Sequence, residues 1–251
     1  MTLSTVAIVT GASKVLGRAM ALGLMDDRTH LIAISRTHDA RLADHARDHG
    51  YALQQIQCDL ANPAAVERLA EQIMPSLPNH AERYLLINNA GSVEPVSQAD
   101  ALRSAARITA AFSLNVISAI ALSAAFLQHT ADLGGERRIL NVSSGAGRHA
   151  TPGWGVYCAT KAALDRYSEV VAAEGHRDTR IVSLAPGVID TGMQQSIRAY
   201  DGAAFPNVER FRAMHDQGRL SSPVDTAAHV LAYLNRDDFG TKVLDDIRHY
   251  A

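Results

Sequence analysis

TVAIVTGASKVLGRAMALGLM, residues 5–25, decides how the rest of the chain is read. Thr5 to Thr10 is a short β-branched apolar run and reads as a strand. GASKVLG reads as a glycine turn, and ALGLM as the apolar side of a helix. In a strand–turn–helix of this kind the first N–H groups of the helix point at an anion, and glycine lets a pyrophosphate approach the backbone closely. Gly11 and Gly17 fit that role. A glycine pair after a strand is common on its own, because many such turns need a positive φ, so the reading must be carried outward along the chain.

The pattern repeats. A second strand, His30 to Ile34, ends in Ser35 and Arg36; strands near Leu53–Gln57 and Tyr84–Asn88 end in Cys58-Asp59-Leu60 and Asn89-Ala90-Gly91. A helix runs from Pro63, capped by Asn62, to about Met74. A long apolar-periodic helix covers roughly Leu102 to Thr130, and after it come strands Arg137–Val142 and Arg180–Ala185. Strands alternating with helices predict a doubly wound Rossmann fold, a central parallel sheet with helices on both faces, in one domain over residues 1–251. Every strand ends in glycine or small polar residues, as expected if the ends line one crevice. From Met193 to Ser222 the regularity drops; this segment is expected to cover the crevice over the substrate. A helix capped by Ser222 starts near Pro223, and TKVLDD is strand-like.

At the end of a strand basic side chains accommodate a 2′-phosphate, where an acid would bind ribose hydroxyls. Lys14, Ser35 and Arg36 therefore read as an NADP-type cluster, with Asp39 rather late to serve as the ribose ligand. Between Ser143 and Lys161 a hydroxyl, a phenol and an ammonium follow in order. Ser143 and Ser144 sit at a strand end, and Tyr157 and Lys161, four apart, share one face of a helix spanning about Gly155 to Glu174. A nearby ammonium is expected to lower the phenol's pKa and make it an acid–base group near neutrality. Tyr-x-x-x-Lys alone is frequent on ordinary helices, so its context must carry the reading. Asn115, within the apolar FSLNVISAI, reads by itself as a residue that satisfies nearby backbone.

Hydrophobic residues at 47%, charged residues at 20% and a net charge of −2 leave no basic footprint for nucleic acid. No unbroken apolar run of about 20 residues appears, so no membrane partner is expected. The start, MTLSTVAIVT, lacks the basic segment and cleavage site of a signal peptide, and a cytoplasmic location is expected. Cys58 and Cys158 lie far apart without metal-type spacing, so neither a disulfide framework nor a metal site is read.

Thr10, Gly11 and Gly17, Asp59, Asn88-Asn89-Ala90-Gly91, Asn115, Ser144, Tyr157-x3-Lys161 and Pro186-Gly187-x3-Thr191 together resemble the short-chain dehydrogenase/reductase family across the whole chain. GWGVYCATKAAL, APGVIDTGMQQSIR and VERFRAMHDQGRLSSP are similar to its sepiapterin reductase branch, and most of all to bacterial benzil reductases of the (S)-benzoin-forming type. The resemblance implies an NADPH-dependent carbonyl reductase. Tyr157 would donate the proton, and Lys161 would hold the nicotinamide ribose and depress the tyrosine pKa. Ser144, chosen over Ser143 by spacing, would orient the carbonyl, and Asn115 would anchor a water in a proton relay. Thr10, Gly11, Ser13 and Gly17, with Val15 and Leu16 completing the turn, would surround the pyrophosphate. Asp59 and Leu60 would meet adenine; Asn89, Ala90 and Gly91 the adenosine ribose; and Pro186, Gly187, Ile189 and Thr191 the nicotinamide end. Val15 departs from the family, which has glycine there.

A small carbonyl compound is the implied substrate, with a vicinal diketone such as benzil leading. Trp154, Met193 and the Phe205 to Met214 segment are read as its apolar wall, with plain core packing the alternative for Trp154 and Phe205. A sepiapterin-type pteridine reductase, using Asp245 or Asp246 as a buried anchor, is the alternative enzyme; a non-catalytic NADP(H) sensor is the alternative of another class. The resemblance also implies a homodimer or homotetramer paired through the Leu102–Thr130 and Tyr157–Glu174 helices.

Overall fold

The structure, a computed structural model, describes residues 3–250. Strands β1 (Thr5–Thr10), β2 (Thr29–Ser35), β3 (Ala52–Gln57), β4 (Arg83–Asn88), β5 (Glu136–Val142), β6 (Thr179–Ala185) and β7 (Leu244–Asp246) form one sheet in the order β3-β2-β1-β4-β5-β6-β7. Every pairing is parallel. The chain winds from β1 outward to β3, then returns to β4 on the other side of β1. All carboxyl ends therefore face one way, and the crevice opens where the winding reverses.

Successive side chains of a strand point to opposite faces, and this builds two cores. Ala7, Val9, Leu31, Ala33, Leu85, Ile87, Leu140 and Val182 pack under α1 (Val15–Leu24) and α9 (Pro223–Leu234). Val6, Ile8, Ile32, Ile34, Tyr84, Leu86, Ile139 and Ile181 pack under α3 (Pro63–Ile73) and α5 (Ser118–Thr130). Burial on both faces is why these strands are unbroken apolar runs rather than alternating ones. A third cluster, taking in Val93, Trp154, Tyr157, Ile197 and Phe205, lies at the carboxyl end of the sheet.

Asn62 and Ser222 cap α3 and α9 as the sequence predicts, accepting from the N–H groups of Ala65 and Asp225. The sequence reading passes over α2 (Ala40–His49), which Asp39 caps through the N–H groups of Arg41 and Leu42. The long helix expected from Leu102 starts later, after a Ser104 cap: α4 (Ala105–Phe112) runs through a π turn, Ser113–Ile117, into α5. TKVLDD contributes only the three residues of β7.

One helix bears on the expectation drawn from apolar runs. Ala105–Thr130 is a 26-residue helical stretch of mean hydropathy 2.0, long and apolar enough to cross a membrane by length and composition. A search for an unbroken apolar run misses it because Ser, Thr and Asn punctuate it. Its apolar window is 56% buried within the protein, with Leu122 and Phe126 spent on the sheet.

Candidate active site

The site is assembled from strand ends. β5 delivers Ser143 and Ser144, and α6 (Gly155–Ala173) brings Tyr157 and Lys161 alongside on one buried face. The two serines part company. Ser143 Oγ donates to Asp165 Oδ1 at 2.6 Å, whereas the Ser144 hydroxyl hydrogen-bonds the Tyr157 phenol and accepts from the Ala146 N–H at 3.2 Å. Lys161 Nζ lies 5.8 Å from the centre of the Tyr157 ring and donates to the Val142 carbonyl at 2.7 Å.

The expected depression of the Tyr157 pKa is not what the fold produces. With the residue 7% exposed, burial pushes the phenol up to about 12, the Ser144 hydrogen bond opposing it. Burial likewise pushes the Lys161 ammonium down to about 8, with Asp165 opposing. Removal from water disfavours the charged form of each group, and here that outweighs the Ser144 hydrogen bond in one case and the Asp165 charge in the other. The phenol is thus a proton donor over the whole neutral range.

Asn115 sits in the π turn, a helix irregularity that recurs at functional sites. Its Oδ1 accepts from the Ser92 N–H at 2.9 Å, and its Nδ2 donates to the Ser92 carbonyl at 2.8 Å and to Thr160 Oγ1 at 3.1 Å. The side chain thus satisfies backbone, as the residue by itself suggests. A Cβ at Gly91 would stand 3.3 Å from Asn115 Oδ1 and 3.7 Å from Lys161 Nζ, so this glycine lets the β4 loop lie against the pair.

The turn after β1 has the shape of an anion cradle. Gly11 has φ +67°, and a Cβ at Gly17 would fall 2.2 Å from the Gly11 carbonyl oxygen. No side chain caps α1 and no acid lies in its first turn, so its N-terminal N–H groups are left to an anion. Thr10 Oγ1 accepts from the N–H groups of Asn89 and Ala90, and Asn89 Nδ2 donates to the Thr10 carbonyl at 3.0 Å. The Asn89 side chain therefore holds the loop from beneath, while Ala90 and Gly91 keep their place at the rim. These residues fit a pyrophosphate-bearing dinucleotide.

Val15 occupies φ +28°, a region a β-branched residue enters only under strain. Val15→Gly is expected to bind NADPH severalfold more tightly, as read by quenching of the protein's fluorescence; weaker binding would show that the loop needs the valine.

Around the adenosine end, Asp39 is unavailable. Its carboxylate takes Arg18 Nε at 2.5 Å and caps α2, and Arg18 also ties to the Ser13 carbonyl at 2.7 Å. Ser35 Oγ donates to the Thr37 carbonyl. Lys14 and Arg36 are exposed, and neither has an ion-pair partner among the described residues. Asp59 accepts from the Ala61 N–H at the end of β3, and Leu60 is buried. Beyond β6, Gly187 has φ +79° after Pro186. Ile189 bridges to Ser221, and Thr191 caps α7 (Gly192–Arg198).

Phe205 stacks on Trp154 with centroids 4.8 Å apart, and Trp154 meets Tyr157 edge-on at 5.4 Å. Phe205 is wholly buried, with its ring packed on Trp154. Met193 packs on the same cluster while partly exposed. Phe211, on α8 (Val208–Asp216) and within the Phe205 to Met214 segment, is a further aromatic partner of Trp154. Unforeseen in the sequence, Tyr200 hydrogen-bonds Glu94, and Arg212 donates to the carbonyls of Arg198 and Tyr200.

The proposed pteridine anchors are otherwise engaged. Asp245 is buried and accepts from Tyr233, Tyr250 and the Asp246 N–H, with the His249 imidazole at 3.2 Å. Asp246 is paired with Arg248 at 2.5 Å. Tyrosine donors, with the Asp246 N–H, offset burial and hold the Asp245 carboxyl below its usual range.

Residues 5–202 match the family model described as short chain dehydrogenase. The chain is 34% identical to benzil reductase ((S)-benzoin forming) of Bacillus cereus, over 92% of this chain and 94% of that one. It is 31% identical to sepiapterin reductase of Rattus norvegicus, over 93% and 92%. Among solved structures, one from Beutenbergia cavernae, described as an NAD(P) dependent gluconate 5-dehydrogenase with NADP bound at low occupancy, superposes with a TM-score of 0.82 at 25% identity, covering 98% of this chain and 95% of that one.

Proposed function

We propose that this chain, which belongs to the short-chain dehydrogenase family, is an NADPH-dependent carbonyl reductase acting on one ketone of a vicinal diketone such as benzil. The observation that carries the reading is the buried Tyr157 phenol, set beside Lys161 on one face of α6 and met by Ser144 from the end of β5. The cofactor, when bound, supplies the hydride. Tyr157 gives its proton to the oxygen on which negative charge develops, and Ser144 donates a hydrogen bond to that same oxygen, orienting it. Lys161 holds the nicotinamide ribose and adds positive charge beside the phenol. Asn115, next to Thr160 and Gly91, anchors the water behind Lys161.

Gly11, Ser13, Leu16 and Gly17 take the pyrophosphate, Lys14, Ser35 and Arg36 the 2′-phosphate, and Ile189 and Thr191 the carboxamide. The adenosine cluster favours NADPH because Lys14 and Arg36 are exposed with no ion-pair partner among the described residues, while Arg18 neutralises the nearest acid. Residues 193–222 cover the substrate, a reading supported by Phe205 on Trp154 and by the Tyr200–Glu94 contact. The aromatic group at Trp154 suits an aryl ketone. Two copies pair through α5 and α6, a reading supported by two exposed apolar side chains, Ile117 at the end of the π turn that leads into α5 and Val170 on α6, 43% and 48% exposed.

The test is cofactor consumption with benzil. We expect turnover with NADPH and at least about tenfold lower efficiency with NADH, from loss of the Lys14 and Arg36 contacts to a 2′-phosphate. Equal use of both cofactors would overturn the adenosine assignment, and no turnover with either would overturn the reductase reading.

A further inference from the structure

We propose that Asp165 is a positioning residue of this reductase: one buried carboxylate that sets the strand end carrying Ser144, the strand end leading to Pro186, and the charge of Lys161. The inference rests on the roles proposed above for Ser144, Tyr157 and Lys161.

Tyr157, Lys161 and Asp165 recur every four residues on the buried face of α6. Asp165 is 4% exposed. Its Oδ1 accepts from Ser143 Oγ and Ser183 Oγ, both at 2.6 Å, the length of a hydroxyl bond to an ionised oxygen. Its Oδ2 takes Arg148 Nε at 3.3 Å, and Arg148 Nη2 reaches on to the Ser183 carbonyl at 3.0 Å. The carboxylate thus gathers the end of β5, a residue of β6 and the turn that follows Ser144. That turn lies flat on α6 at this place: a Cβ at Gly147 would fall 2.8 Å from the Lys161 carbonyl carbon and 2.9 Å from Asp165 Oδ2.

A buried carboxylate is strongly unfavourable unless paired, and one guanidinium with two hydroxyls would suffice for packing alone. Its position one turn beyond Lys161 adds a second effect. The ionisable groups around Lys161 are Tyr157 and Asp165 on its own helix, with Cys158 beside the phenol, and Arg148 from the turn after β5. The other elements packed here present uncharged groups: Asn115 from the π turn, Gly91 from the β4 loop, Ser143 and Ser144 from β5, and Ser183 from β6. Among the described residues Asp165 is the one anion in this set. It keeps the ammonium protonated against burial, and Arg148 partly offsets it.

Two variants separate positioning from packing. Asp165→Asn keeps an oxygen for the two serine hydroxyls and removes the charge; Arg148→Gln removes the opposing cation from a half-buried site. Lys14, Lys161 and Lys242 are the three lysines of the chain, so NMR of ¹³C-labelled lysine follows the Lys161 titration without any turnover. The alkaline limb of benzil reduction by the full chain with NADPH is read alongside. We expect both the Lys161 midpoint and the alkaline limb to move about one pH unit lower in Asp165→Asn and higher in Arg148→Gln. An unchanged Lys161 midpoint in the folded variants would overturn the inference, however much kcat or Tm fell. A moved midpoint in a chain that reduces no diketone would keep the electrostatic link and sink the proposed reaction instead. Should Asp165→Asn not fold, the Asp165→Asn/Arg148→Gln double variant, which leaves no buried charge unpaired, is compared with Arg148→Gln: a lower Lys161 midpoint in the double variant is expected, and equal midpoints would overturn the inference.

Discussion

Tyr157→Phe is expected to lower kcat for ketone reduction by about 10³-fold, the loss of a positioned proton donor, while NADPH affinity changes little. The substitution deletes one oxygen from a ring that is otherwise held by packing. The edge contact to Trp154 at 5.4 Å and the burial among Val93, Ile197 and Phe205 are kept, so the variant folds. What disappears is the proton for the alkoxide, together with the hydroxyl that Ser144 engages. Water, a far weaker acid than a phenol, is a poor replacement for it. Single-turnover reduction and an NADPH titration on the same preparation check both halves. A rate within tenfold of the parent would place the proton source elsewhere and remove Tyr157 from the mechanism.

Gly17→Ala is expected to weaken NADPH binding by about 100-fold and to lower stability by about 1–3 kcal/mol, the usual range for forcing an extra methyl into a packed place. The new Cβ would lie 2.2 Å from the Gly11 carbonyl oxygen and 2.5 Å from Asn89 Nδ2. Neither neighbour retreats easily. The first is backbone in a turn at φ +67°, and the second is bonded to the Thr10 carbonyl. Relief requires opening the loop that aims the N–H groups of α1 at the pyrophosphate. Fluorescence titration with NADPH and urea denaturation give the two numbers separately. Affinity within threefold of the parent would mean that the loop is soft and contributes little to the cofactor. The comparison with Val15→Gly is informative because the two changes act on one turn in opposite senses. One adds a clash, and the other removes a β-branched side chain from φ +28°.

The structure explains why two carboxylates near the crevice do not behave as free ligands. Asp39 lies close to where a ribose-binding acid is found in NAD-dependent folds, but Arg18 and the first turn of α2 consume both of its oxygens. Asp245 sits beside β6 and is saturated by tyrosine hydroxyls and the Asp246 N–H. In both cases partners distant along the chain, 21 residues away for Asp39 and 12 for Asp245, turn an acid of apparent functional type into a structural one.

The alternation of β-branched runs with glycine turns and amphipathic helices determined by itself that this chain forms a doubly wound parallel sheet, because side-chain period and turn chemistry are local properties of consecutive residues. The same locality made Tyr157 and Lys161 neighbours, since four residues are one helical turn, and marked Asn62 and Ser222 as caps. Folding settled the rest. Spacing to Tyr157 singled out Ser144 over Ser143 only through the family resemblance, and it is the fold that sends one to Asp165 and the other to Tyr157. The π turn at Asn115 is invisible to a helical periodicity that continues on either side of it. The direction of the Tyr157 pKa turned on burial, which depends on what α6 packs against and not on the lysine four residues away. Spacing along a chain is set by bond geometry, whereas solvation and charge pairing are set by which distant segments the fold brings together.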